Sequence, residues 1–181
     1  MAALTSEFSL PYPQSTDDVQ LWTDFQLLAE AVETVLNLPD RVEASNSVQT
    51  VITSTSFAAI PTNPVSLTIT NPSSVFDMEV DLTAGAWLAA SANDVRAGIA
   101  ASGGMSFSPT AFGSGGGISF GDIMINSSST SIGQRISYPV TIPAGAAAVT
   151  FALQAMRSSA TGTQNVNYPT LRCTPRRFKK P

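Results

Sequence analysis

The sequence predicts a mainly β fold, in which a short, coiled-coil-like N-terminal helix precedes an antiparallel β-sandwich or jelly-roll domain. Three observations predict it. From Ser45 onward apolar residues alternate with polar ones, as in "VFDMEVDL", where Phe76, Met78, Val80 and Leu82 face one way and Asp77, Glu79 and Asp81 the other. Helical spacing is confined to one stretch, "DDVQLWTDFQLLAEAVETVLN", Asp17 to Asn37. Ser and Thr supply 42 of the 181 residues while charged residues make up 12%, so a hydroxyl-rich sheet surface has to carry the solvation that charges usually carry.

Residues 1–16 read as an extended arm. Pro11 and Pro13 flank Tyr12, and each proline fixes its own φ and disfavours helix in the residue before it. A helix follows over 17–38. Asp17 or Asp18 caps its first N–H groups and complements the positive end of the dipole, and Pro39 ends it. Leu21, Phe25, Leu28, Val32 and Val35 fall at spacings of 4, 3, 4 and 3, an a/d heptad seam, which Trp22, Ala29 and Leu36 widen. A helix this short is marginal alone, so the seam is covered either by the chain's own sheet or by copies of itself. Its regularity favours self-association, most simply threefold.

A linker over 39–47 leads to a β domain over 48–174. Its expected strands are "SVQTVITS", "PVSLTIT", "VFDMEVDL", "AWLAAS", "VRAGIAA", "GISFGDIMI", "RISYPVTI" and "AAVTFALQAM", separated by the turn-rich "NPSS", "TAGA", "NSSSTSIG" and "IPAGAA". About eight short strands at this spacing indicate a sandwich or jelly roll. Ala101 to Gly117, "ASGGMSFSPTAFGSGGG", holds six glycines and is expected to be a long mobile connection. Residues 175–181 form a basic tail. Five of the nine bases lie in the last ten residues and eight of the 13 acids in the first 43, so the tail is expected to dock on an acidic neighbouring subunit.

The chemistry this composition permits is narrow. With no histidine, a Ser-His-Asp triad is excluded and the commonest transition-metal ligand is missing. The glycine cluster "GSGGGISFGD" lacks the Gly-Lys-Ser/Thr of a phosphate loop and opens no helix. Asp77, Glu79 and Asp81 read first as a solvated strand face, then as a calcium or carbohydrate contact, and last as a glycosidase pair, which needs a cleft. Cys173 is the only cysteine, so no internal disulfide forms; a half-buried strand position is its expected place. Trp87 in "GAWLAAS" and Tyr168 in "NVNYPT" are candidate sugar-stacking aromatics, although core packing is the ordinary fate of an aromatic in an apolar strand. No catalytic residue, cofactor or metal is expected. Membrane insertion is not expected either, since no stretch approaches the roughly 20 apolar residues that span a bilayer. The start "MAALTSEFSL" lacks a basic flank and apolar run, which predicts a chain made in the cytoplasm without a signal peptide. One basic patch on a chain of net charge −4 argues against a nucleic-acid partner.

The order of extended arm, "LPYPQSTDDVQLWTDFQLLAEAVETVL" and Ser/Thr/Gly-rich β domain resembles the small fibre, minor tail and head-decoration proteins of tailed bacteriophages, particularly those of actinobacterial hosts. The residues carrying the likeness are Pro11, Tyr12, Pro13, Asp17 or Asp18, Asp24, Leu28, Ala29, Ala31 and Val32, together with "VTIPAGAAAVTFALQAMRSSATGTQNVNYPTLRC", which is similar to the closing strands of such domains. They cover about the first 40 and last 45 residues. The resemblance implies a non-enzymatic homotrimer on the virion surface, anchored to other virion proteins by its arm and helix. That is a minor tail or tail-fibre protein contributing to host attachment, or a capsid decoration or head-fibre protein adorning the shell. No long repetitive shaft is present, which favours a short appendage. A carbohydrate-binding module is the reading from a different class, with a host cell-surface glycan as its partner.

Overall fold

A computed structural model of the chain describes residues 3–4, 11–12, 25, 28–29, 32, 37–91, 93–108, 123–126 and 131–179. These residues are mainly β and every strand pairing is antiparallel. At the N-terminus β1 (Ala3–Leu4) pairs with β2 (Pro11–Tyr12), so the arm is extended at these four residues and folds back on itself. Pro13 and most of the expected helix, including Leu21 and Val35, lie outside the described residues. Phe25, Leu28, Ala29 and Val32 are described and have helical backbone.

Two five-stranded sheets follow. The first holds β3 (Val42–Ser45), β4 (Thr50–Val51), β7 (Asp77–Ala90), β10 (Ser131–Ile142) and β12 (Gln164–Lys179), in the order β10-β7-β12-β3, with β4 also pairing β12. The second holds β5 (Ala58–Ala59), β6 (Ser66–Ile69), β8 (Val95–Gly103), β9 (Ile123–Asn126) and β11 (Val149–Arg157), in the order β5-β11-β8-β9, with β6 also pairing β11. From β6 on, the chain passes between the sheets at every connection except the one from β8 to β9. Buried residues of both sheets belong to one core: Met78, Val80, Leu82 and Leu88 of β7 and Leu171 of β12 lie with Ile99 of β8 and Phe151 and Leu153 of β11. Strand alternation delivers these side chains to one side, and removing their apolar area from water is what holds the sheets together.

The turns explain themselves locally. In "NPSS" the buried Asn71 amide donates to the carbonyls of Phe76 at 2.8 Å and of Ile142 and Pro143 at 3.1 Å, while its Oδ1 accepts from the Ser73 N–H. The Ser73 hydroxyl then accepts from the Phe76 N–H at 2.8 Å. One side chain thus satisfies backbone groups that the ladder leaves unpaired. Asn46 does the same near β3, donating to the carbonyls of Thr62 and Asn63, which both have left-handed φ.

Three expectations are corrected. "TAGA" is not a turn: Thr83–Ala86 continue β7, because Ala84 and Ala86 keep the inward parity of Leu82 and Leu88. The stretch 39–47 is not only linker, since Val42–Ser45 form β3, which pairs residues 170–173 of β12. The connection 101–117 does not begin free. Residues 101–103 end β8, Ala101 and Phe107 exchange backbone hydrogen bonds, and the Phe107 ring sits 6.1 Å from that of Phe151. An apolar ring placed four residues after a strand end has a core to return to. Residues 109–122 lie outside the described residues.

Candidate functional site

The outward face of the first sheet carries the chain's distinctive chemistry. Its charged end is built from β7, β12 and β3. Asp77, Glu79 and Asp81 project outward from β7 as the alternation requires, and their partners come from β12. Arg177 Nε donates to Glu79 Oε2 at 2.6 Å, Lys179 Nζ lies 3.7 Å from Glu79 Oε1, and Arg176 Nη1 lies 3.4 Å from Asp81 Oδ1. Asp77 Oδ1 accepts from the Ala144 N–H at 2.9 Å, tying the start of β7 to the "IPAGAA" turn. On the far side Arg172 forks onto Glu43 of β3, with Nε and Nη2 donating at 3.1 and 3.3 Å. The hydrogen bond from Arg172 holds the Glu43 carboxyl below the usual carboxylate range, that from Arg177 does the same for Glu79, and the Arg177 guanidinium is raised in return. The expected basic tail is therefore in large part strand: Pro175–Lys179 belong to β12, and its bases meet acids of their own chain. Among the described residues no group of three or more candidate metal ligands occurs.

The other end of the same face centres on Trp87, with the exposed Arg135 of β10 opposite Gly85 beside it. With β7 running unbroken, Trp87 shares the outward parity of the acids and is 48% exposed, so the expected core packing does not occur. Its ring lies over Gly133, the residue opposite it on β10. A Cβ at 133 would come within 2.9 Å of the ring's Cε3 and 3.2 Å of its Cζ3. Gly85 and Ala89 precede and follow it on its own strand face, so no long side chain of β7 covers the indole. On the other flank, Asn167 stands opposite Trp87 and Asn165 opposite Ala89, with Val51 of β4 beyond Asn165. Tyr168 follows Asn167 in the bulge that shifts the β12 register before Thr170; its φ is +50° and it is 63% exposed. The structure thus places the two candidate aromatics on neighbouring strands. Sequence reasoning missed Gly133, Asn165 and Asn167, which only the pairing of β10, β7 and β12 brings beside Trp87.

Cys173 is fully buried, deeper than expected, and desolvation with help from the Asp81 charge pushes its thiol up to about 12. It is inert at neutral pH. Of the candidate seam, Phe25 is 59% and Val32 38% exposed, and Leu28 is partly buried. Compared with protein-family models and with curated proteins, the chain has no match.

Proposed function

We infer that this chain is a structural component of a tailed-phage virion, a short homotrimeric surface appendage whose arm and helix anchor it while its β domain points outward. The favoured place is the tail, as a minor tail or tail-fibre protein contributing to host attachment. The observation that carries this reading is the strand order. If β3 with β4, and β5 with β6, each count as one interrupted strand, the ten strands of the two large sheets become eight, which renumbered in chain order run 1-8-3-6 in one sheet and 2-7-4-5 in the other. That order supports a jelly roll, an architecture that recurs in viral capsid and lectin domains. Fold alone does not assign function, so two further features matter. The seam residues Phe25 and Val32 face solvent in the single chain, which suits a surface completed by copies. The first 40 and last 45 residues carry the likeness to phage appendage proteins described above.

Decoration of the capsid by the same trimer is the second reading, since a jelly roll on a short anchor serves either position. Immunogold labelling of intact virions distinguishes them. Label confined to the tail end is the expected result; label over the head moves the protein to the shell, and virions without label overturn the virion assignment.

A further inference from the structure

We propose that the Trp87 end of the outward β10-β7-β12 face is a saccharide subsite that takes one pyranose ring of a surface glycan, with Trp87 as its floor. The inference deepens the attachment reading and rests on it only for the source of the glycan. Two independent observations carry it.

The first is the indole. Its ring lies over Gly133, where a side chain would collide with it, and its strand neighbours Gly85 and Ala89 are too small to cover it. The result is a half-exposed aromatic surface packed closely against the β10 backbone at Gly133. The C–H face of a pyranose stacks on such a surface, and an indole offers the largest area for it.

The second is a pair of amides. Asn165 is only 8% exposed, yet its Oδ1 finds no hydrogen-bond partner among the described residues, and neither does the buried Oδ1 of Asn167. Val166 between them points into the core opposite Leu88, so both amides project to the Trp87 side. Buried polar atoms without partners are uncommon and costly, which makes these two oxygens a demand for donors. Both oxygens are covered in the free chain, so sugar hydroxyls meet that demand once the amides turn toward the ring. Because a hydroxyl both donates and accepts, it suits an Asn amide in either orientation.

The charges nearby argue for a sugar ring over a nucleotide. Arg172, Arg176 and Arg177 on this face each have a carboxylate partner, and the exposed Arg135 of β10, opposite Gly85 beside Trp87, shares the field of Glu43, so one cation stands near the ring where the phosphates of a nucleotide would need several. A single such subsite binds weakly, and three copies on one appendage would compensate through avidity.

The test is saturation-transfer NMR on the full chain with a panel of methyl pyranosides of gluco, galacto, manno and N-acetylglucosamine configuration. At least one should receive saturation at its C–H face protons. Trp87→Ala should weaken that binding roughly tenfold or more, Asn167→Ala by about fivefold, and Trp87→Phe less than Trp87→Ala. If Trp87→Ala fails to fold, as judged by its melting curve, Asn167→Ala and Trp87→Phe carry the comparison. No saturation transfer to any pyranoside overturns the subsite, as does binding that survives these substitutions. Loss of oligomer mass in Trp87→Ala also overturns it, by making this face a contact between copies. Failure here with label still on virions leaves the appendage reading standing, whereas pyranoside binding by a protein absent from virions does the reverse.

Discussion

Gly103 ends β8 in a conformation that side chains resist, with φ at +92° and the position of a Cβ only 2.2 Å from the Ala148 carbonyl oxygen. Its neighbour Gly104 passes equally close to the Ala147 oxygen and donates its N–H to Ala148 at 3.2 Å. Gly103→Ala would have to move backbone, and strain plus overpacking should destabilise the domain by roughly 2–4 kcal/mol. Urea denaturation of wild type and variant measures this directly; equal midpoints would mean that the approach is relaxed in solution. The glycines of "ASGGM" are visible in the sequence, but there they signal a loop, since nothing local reveals the carbonyls they pass. Trp87 teaches the complementary lesson. Its outward parity with Asp77, Glu79 and Asp81 was legible only to a reading that kept "TAGA" in strand, and Gly85 breaks the pattern at the one place where Thr170 Oγ1 comes within 3.0 Å of a Cβ position. Gly85 marks a close approach within a strand, which sequence cannot tell from a turn.

At the scale of elements, β7 and β12 hold the first sheet together over 14 and 16 residues, and their charges were each legible without their pairing. The acidic alternation predicted a strand face correctly. The basic run looked like a tail because Arg176, Arg177 and Lys179 break alternation, and the cause is the register shift between Pro175 and Arg177. β3 escaped notice because four residues of mixed polarity carry almost no periodic signal; its place is set by pairing with β12. The cross-strand pairs predict how stability varies with pH. Glu43 and Glu79 have lowered carboxyl pKa values in the folded chain, so the stability they add is present above their ordinary value of 4.5 and is lost as pH falls through their folded values. Arg177, whose value is raised, stays charged throughout that range. Thermal melts of wild type and of a variant combining Arg172→Ala with Arg177→Ala should differ at pH 7 in low salt. They should converge at acid pH below the lowered values, and partly converge in high salt, because exposed pairs are screened. A gap that persists unchanged in acid would mean that the arginines act through packing of their stems.

At the scale of the whole molecule, the β domain carries a core of its own. Among the described residues the core and the partly buried apolar groups packed on it begin at Leu38, so Phe25, Leu28 and Val32 are not among the contacts that hold the sheets. A β domain with its own core is preceded by helical residues of which Phe25 and Val32 face water, so these two positions of the seam of Leu21, Phe25, Leu28, Val32 and Val35 lie outside that core. Covering five such residues in a bundle is worth on the order of 10 kcal/mol per chain before ordering entropy, at about 2 kcal/mol each. The intact protein should therefore run in multi-angle light scattering at three times the 18.9 kDa chain mass. Phe25→Asp combined with Val32→Asp places charges in the seam and should shift the mass toward one chain, while the melting of the β domain stays within a few degrees of wild type once the concentration-dependent contribution of assembly is removed. If the unmutated protein is already a monomer, the threefold reading ends. If the double substitution dissolves the sheets as well, the helix belongs to the domain's own fold. A trimer that survives both aspartates moves the interface to the β domains, where the twelve-residue strand β10 is, among the described residues, the longest edge of the first sheet.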